Sequence, residues 1–357
     1  MKKRITFAVV GGGWRSEFFL RIAEALPDRF NVSAIFSRTE ASRAKLAGNW
    51  KVPVVDSFDA VIKSKPDFVV VSVPRVVCPD LILELARREM PVLAETPPAE
   101  QIEDMTRLWR SLPQGARVQV AEQYPFQPLT MARLAVVASG RLGTVTQAQV
   151  SAAHDYHGTV LIRRYLGVHF EPALIEAYEF TSPITQGRGR EPGPSEEKIV
   201  ASRQVIARLQ FGDKLGVYDF TGDQYFSWVR SQRLLVRGEK GEINNLDLSY
   251  LADFKTPIHT RFERRDAGQH GNLEGYHHKG YLAGDQWLYR NPFVPARLMD
   301  DEIAIAACLE SMGHYVETGE DFYSLAEACH DHYLGLVIQE AVKTGKGIRT
   351  QEQVWCA

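Results

Sequence analysis

The residues best suited to chemistry in this chain of 357 residues begin with three consecutive glycines, Gly11 to Gly13. Gly11 and Gly13 fit the first two positions of G-x-G-x-x-G/A, and Ser16 stands at the third. Glycine at the first position allows a tight turn, and at the second it lets backbone approach a pyrophosphate. A small third residue lets helix and strand pack closely, which Ser16 permits. Trp14 and Arg15 complete the loop, and the helix behind it offers free N–H groups to an anion. The alternative is a plain strand-to-helix turn. The setting, an apolar run before and a helical run after, favours a dinucleotide.

Ser37-Arg38-Thr39 ends the next strand, where an acidic residue would hold both ribose hydroxyls of NAD. A hydroxyl and a planar guanidinium suit a 2′-phosphate instead, so NADP is expected ahead of NAD. An arginine stacked on adenine is the alternative, and it would not discriminate. Other clusters carry less. His270, His277 and His278 lie in the glycine-rich stretch QHGNLEGYHHKG, which lacks the thiol or carboxylate spacing of a zinc site and reads as a surface loop or lid. Cys329-His330-Asp331-His332 falls inside a helix, where consecutive residues point apart, so no metal is expected. Arg163 and Arg164 are able to reach an anionic substrate, although such arginines are usually solvated. Tyr225 and Trp228 read as aromatics that pack a sheet or a subunit contact.

These groups need a scaffold. Strand-like runs at Ile5 to Val10, Val32 to Ser37, Asp67 to Val73, Val92 to Glu95 and Val118 to Ala121 alternate with helical ones at Glu17 to Leu26, Thr39 to Ala47, Pro79 to Arg88 and Ala99 to Leu112. That order predicts a parallel, doubly wound α/β sheet, a Rossmann domain over residues 1–123. After Tyr124 the pattern changes. A helix at Leu129 to Ser139, a strand at Val145 to Ala153 and a short helix at Leu161 to Leu166 come first. Alternating segments follow at Ser202 to Phe211, Leu215 to Gly222, Phe226 to Val236 and Gly241 to Leu248, then helices at Asp300 to Glu317 and Phe322 to Thr344. This predicts a second, α+β domain over 124–357 with a large open, mainly antiparallel sheet. Ser182 to Glu197, rich in Gly and Pro, reads as an exposed loop. One face of the sheet has no predicted helical cover, so a homodimer or homotetramer is expected.

Composition is that of an ordinary globular protein, with 45% hydrophobic and 24% charged residues. A net charge of −2 gives no reason to expect nucleic acid or an anionic membrane as partner. Cys78, Cys308, Cys329 and Cys356 are scattered, which suits a reducing cytoplasm. The opening MKKRITFAVVGGG imitates a signal peptide, but its apolar run is short and reads as the first strand.

The order of elements and several local motifs resemble the Gfo/Idh/MocA oxidoreductase family over nearly the whole chain. Val71-Ser72-Val73-Pro74 and Val92-Leu93-Ala94-Glu95-Thr96-Pro97 are similar to its fourth and fifth strand ends, and Val120 to Pro128 to its sixth. His157 to Gly167 resembles its catalytic-histidine helix, and Glu320 to Gly347 its closing helix. The resemblance implies a Rossmann domain joined to an open sheet. It implies NAD- or NADP-dependent oxidation or reduction of a hydroxyl carbon in a sugar, cyclitol or related glycoside. It also implies a cofactor lying over Gly11 to Ser16 and past Pro74, with Glu95, Thr96 and Gln123 near its nicotinamide end.

The family's usual lysine, from E-K-P, is replaced by Thr96, which cannot act as a useful base. In the pattern D-x-G-x-H-x-x-D, His157 holds the histidine position, but Ala153, Asp155 and Val160 replace the other three residues. His157 is therefore the acid/base candidate, since an ordinary imidazole pKa near ~6.5 suits proton exchange. The alternative is a polar residue at a domain seam. Tyr124, at the carboxyl edge of the sheet, is the second candidate, and as a phenol it would need a cationic neighbour. Its alternative is a hydrogen-bonded wall. His154, Asp155, Tyr156 and Arg163 are the expected substrate contacts. Two functions stay open: hydride transfer with His157 or Tyr124 handling the proton, as the biliverdin reductase branch suggests is feasible without the lysine, or a catalytically lapsed NADP-binding regulator.

Overall fold

A computed structural model describes residues 3–189 and 193–356. Strands and helices alternate through β1 (Ile5–Val10), α1 (Trp14–Ala25), β2 (Phe30–Phe36), α2 (Glu40–Asn49), β3 (Val54–Val55), α3 (Phe58–Lys63), β4 (Phe68–Val71), α4 (Cys78–Arg87), β5 (Val92–Ala94), α5 (Ile102–Ser111) and β6 (Val118–Val120). The six strands are parallel, in the order β3-β2-β1-β4-β5-β6. Strand β4, FVVV, is wholly buried because helices cover both faces of a parallel sheet. The short β3 and α3 escape sequence reading because two and six residues are too few to show a period.

The chain continues through α6 (Pro128–Ala138), β7 (Val145–Ser151), α7 (Asp155–Leu166), β8 (Leu174–Thr185), β9 (Ile199–Phe211), β10 (Lys214–Thr221), β11 (Arg233–Gly238), β12 (Gly241–Asn244), β13 (Asp247–Asp253), β14 (Thr256–Asp266), β15 (His278–Ala283), β16 (Gln286–Arg290), α8 (Asp300–Thr318), α9 (Leu325–Thr344) and β17 (Ile348–Arg349). Among the described residues the second sheet has 11 strands, ordered β16-β15-β14-β13-β12-β11-β7-β10-β9-β8-β17. Only β7 and β10 run parallel; the other neighbours are antiparallel. The sheet is open, as expected.

Several expectations need correction. Ser182 to Thr185 belong to β8, paired with Ala201, Val200 and Ile199 of β9 among others, so the exposed loop starts later; Arg190 to Pro192 lie outside the described residues. Phe226 to Gln232 are not strand, because the Ser227 hydroxyl accepts from the N–H groups of Val229 and Arg230 and turns the chain. The segment Gly241 to Leu248 is a hairpin folded at left-handed Asn245, φ 54°, giving β12 and β13. His277 and His278 are buried, and His278 opens β15 with its Nδ1 2.8 Å from Asp266 Oδ1, so the glycine-rich loop ends before them. Helix α7 starts at Asp155, six residues before the expected Leu161.

Two connections set the site. Helix α8 returns to the first sheet, where Ile303, Leu309 and Met312 share a core with Phe7, Val9 and Phe19. The first core thus draws on the last fifth of the chain as well as on residues 1–123. Before α9 the Tyr323 carbonyl accepts from Val120 N–H at 3.0 Å, tying the closing helix to the edge strand β6. Helix α7 lies tightly on β10 through Gly158, where a Cβ would come within 2.5 Å of the Tyr218 ring.

Candidate active site

The glycine loop leaves β1 at Gly11, φ 132°, where any Cβ would meet the Ser72 carbonyl at 1.9 Å. Only glycine can hold that turn. A Cβ on Gly13 would meet nothing within 4 Å, and no side chain caps the N-terminus of α1. The buried Ser16 hydroxyl has no hydrogen-bond partner among the described residues. Bare backbone, uncapped N–H groups and an orphaned hydroxyl fit the pyrophosphate of a dinucleotide. Trp14 is half exposed beside the loop. Arg15 crosses the carboxyl edge, donating from Nε to Glu95 at 2.8 Å and from Nη2 to Gln123 at 2.9 Å. The glycine loop and the ends of β5 and β6 are thereby linked through one guanidinium.

At the end of β2, the Ser37 hydroxyl donates to Ser42 at 2.8 Å, and Arg43 donates to the Ser37 and Arg38 carbonyls, both at 2.9 Å. Arg38 itself is exposed. Ser42 and Arg43 were missed in the sequence; their position on the first turns of α2, four and five residues past Arg38, was the available signal. Pro74 is exposed at the end of β4, its carbonyl accepting from Val77 N–H at 3.0 Å.

Beyond these, aromatic and imidazole side chains converge where α7 meets the carboxyl edge. His157 is 6% exposed and Glu122 is fully buried, with Nδ1 and Oε2 at 2.6 Å. Glu122 also accepts from the Tyr124 N–H at 3.0 Å, which fixes the carboxylate. A carboxylate can only accept here, so the imidazole donates from Nδ1 and keeps the Nε2 lone pair. Among the described residues Nε2 has no hydrogen-bond partner, and it is not sealed from solvent. Glu122 went unrecognised in the sequence because its partner lies 35 residues away.

The rings of Tyr124, His154 and Tyr156 lie 4.6, 4.9 and 4.3 Å from that of His157. Burial, and then the neighbouring Tyr225, push the Tyr124 phenol well above its ordinary range, and burial does the same to Tyr156. Both keep their protons at neutral pH. Tyr124 therefore serves as a donor or wall, and the cationic neighbour a phenolate base would need is not what it meets. Its hydroxyl donates to Tyr225 at 3.4 Å, and the Tyr156 hydroxyl to the Thr96 carbonyl at 3.5 Å. Tyr225 thus belongs to the cluster, beyond the packing role its place in the sequence suggests, whereas Trp228 is 66% exposed.

Two expected substrate contacts point elsewhere. Asp155 accepts from Gln339 at 3.1 Å, and its N–H donates to Tyr218 at 3.0 Å, so it secures α7 to α9 and β10. Arg163 is 3% exposed, donating to Asp331 at 2.7 Å and to the His169 carbonyl at 2.8 Å. It is a buried structural cation because the helix face opposite His157 packs on α9. Among the described residues, no group of three or more His, Cys, Asp or Glu side chains is arranged to hold a metal. None of the described helices is long and apolar enough to cross a membrane.

Comparison with known proteins agrees with this geometry. Residues 5–122 match the model of the Gfo/Idh/MocA oxidoreductase family, NAD-binding Rossmann fold. No protein of curated function matches the chain in sequence. Among solved structures, a levoglucosan dehydrogenase in complex with NADH superposes with a TM-score of 0.70 at 12% identity, covering 98% of this chain and all (100%) of that one. A myo-inositol dehydrogenase from Corynebacterium glutamicum gives 0.66 at 17%, covering 98% and 99%. The WlbA dehydrogenase from Bordetella pertussis, in complex with NADH and UDP-GlcNAcA, gives 0.63 at 14%, again 98% and 99%. These likenesses are to the fold, and they extend over both sheets. Residues 5–122 are thus similar to the NAD-binding Rossmann domain of the Gfo/Idh/MocA oxidoreductase family, and the likeness of fold continues through the second sheet.

Proposed function

We propose that the protein transfers hydride to or from a hydroxyl carbon of a sugar, cyclitol or glycoside-like molecule, with His157 as acid/base. The observation that carries this reading is the His157–Glu122 pair, whose Nε2 is left toward solvent at the carboxyl edge of the sheet. Ligands bind at that edge in open α/β sheets. A bound NAD(P)⁺ would supply the hydride acceptor. Nε2 of His157 takes the hydroxyl proton as the C–H bond breaks, and Glu122 stabilises the imidazolium that results. In the reverse direction the same atom returns the proton. Arg15, holding Glu95 and Gln123, shapes the floor on which the nicotinamide would rest. Thr96 contributes its carbonyl to Tyr156 and no base.

NADP is the preferred cofactor in this reading, supported by exposed Arg38 with Ser37, Ser42 and Arg43 around the end of β2. The chain works as a homo-oligomer, supported by exposed Tyr178 (60%) and Phe180 (56%) on one face of β8. A cytoplasmic setting is supported by four free cysteines. The deciding experiment is turnover of NADP and NAD with a panel of sugars, inositols and glycosides. Reduction of either cofactor by a polyol sustains the proposal. Tight cofactor binding with no turnover across the panel sinks it in favour of a regulator.

A further inference from the structure

Tyr225 fixes more than the position of its ring. Its hydroxyl accepts from the His154 backbone N–H at 3.1 Å and from the Tyr124 hydroxyl at 3.4 Å. It also lies 2.7 Å from His154 Nδ1. A phenol has one proton and two acceptor sites. Both acceptor sites are used, so the proton goes to His154 Nδ1. That nitrogen must then be an acceptor, and the hydrogen of the neutral ring sits on Nε2. The opposite holds one helical turn away, where Glu122 obliges His157 to carry its hydrogen on Nδ1. Among the described residues His154 Nε2, like His157 Nε2, has no hydrogen-bond partner, and it is not a sealed atom.

We infer that Tyr225 and Glu122 lock His154 and His157 into opposite tautomers, giving a donor N–H beside an acceptor nitrogen, and that this pair reads two hydroxyls on neighbouring carbons of the substrate. The ring centroids lie 4.9 Å apart at 84°, a spacing that two vicinal oxygens can span with one bond to each ring. The reacting hydroxyl donates to His157 Nε2, and its neighbour accepts from His154 Nε2–H. When the first becomes a carbonyl, the second bond persists and holds the α-hydroxy ketone in place. His154 is thus a specificity residue and Tyr225 a positioning residue for the reaction proposed above, on which the diol assignment rests.

The surroundings keep His154 uncharged. Burial comes first in pushing its pKa down to about 4, and the neighbouring His157 and Arg75 add to this, while Asp155 and Glu122 oppose it. A neutral ring at pH 7 has a defined tautomer to lock.

The tautomers are testable without a substrate. Long-range ¹⁵N–¹H spectra of histidine-labelled full-length protein at pH 7, assigned with His154→Gln and His157→Gln, should show His154 as the Nε2–H form and His157 as the Nδ1–H form. Tyr225→Phe should release His154 into a mixture and leave His157 unchanged. A His154 signal in the Nδ1–H form, or one that Tyr225→Phe does not move, overturns the lock. The diol reading is tested by titrating the same labelled protein, with NADP present, against myo-inositol, glucose, methyl glucoside and their monodeoxy analogues. Both histidine signals should move with a vicinal diol, and loss of the hydroxyl next to the reacting carbon should weaken binding roughly 10-fold, the scale of one hydrogen bond. In His154→Phe the same deletion should change binding less than about twofold. If deoxy analogues bind as well as their parents, or no polyol moves either signal, the diol pairing is overturned. Absence of turnover with the tautomers as described would overturn the proposed reaction while leaving the lock standing.

Discussion

Helix α7 carries two buried base–carboxylate pairs, and they differ in what they leave over. Near its start His157 meets Glu122 at 2.6 Å; near its end Arg163 meets Asp331 at 2.7 Å. Both carboxylates are fully buried and both bases nearly so. At the second pair Arg163 also holds the His169 carbonyl and Tyr323 donates to Asp331 at 2.8 Å, and the carboxylate atom left over, Asp331 Oδ1, is sealed from solvent. Burial raises the Asp331 carboxyl to about 6, against the opposing pull of Arg163 and Tyr323. At the first pair, one ring nitrogen remains with a lone pair and a route to solvent. Burial of a base against a carboxylate therefore does not mark chemistry. The unspent atom at the sheet edge does.

Substitutions at the two pairs should separate accordingly. His157→Ala should lower kcat by roughly 10²- to 10⁴-fold, with the thermal midpoint within a few degrees of wild type. Asp331→Ala should do the reverse, destabilising the fold by about 3–5 kcal/mol in denaturant titration because it strands a buried guanidinium. Turnover per folded molecule should persist in that variant. Equal effects of both substitutions on stability and on kcat would erase the distinction. Glu122→Gln should fall between them. Its amide can present an N–H to Nδ1 and favour the wrong tautomer, lowering kcat at least ~10-fold with KM little changed. Recovery of full rate in that variant would show that the carboxylate is a packing partner only. The smallest effect belongs to the cofactor end. Arg38→Ala should weaken NADPH about 10-fold at low salt and leave NADH nearly unchanged, the worth of one exposed charge-assisted contact. Equal losses for both would favour adenine stacking instead.

How far the sequence reveals this depends on the range of the interaction. The first sheet was legible because each strand is a continuous apolar run and Gly11 to Ser16 sits in a strand-to-helix turn that needs glycine. His157 was legible from its place in a familiar pattern, as was Tyr124 from its place after β6. Glu122, Tyr225 and Asp331 were not, because their roles come from partners 35, 71 and 168 residues distant. Arg163 was misread for the same reason: nothing local says that α9 will cover it. Strands β13 and β14 were hard to see because much of their length is exposed, so side-chain alternation is weak.

The central claim is that Nε2 of His157 exchanges the substrate proton. Its most direct test is cofactor reduction with the best polyol from the panel, followed for wild type and His157→Ala at matched folded concentration, with NADP binding measured on both. The account predicts unchanged cofactor affinity and a rate reduced at least ~10²-fold in the variant. A His157→Ala protein that binds NADP normally and turns over at the wild-type rate would contradict it.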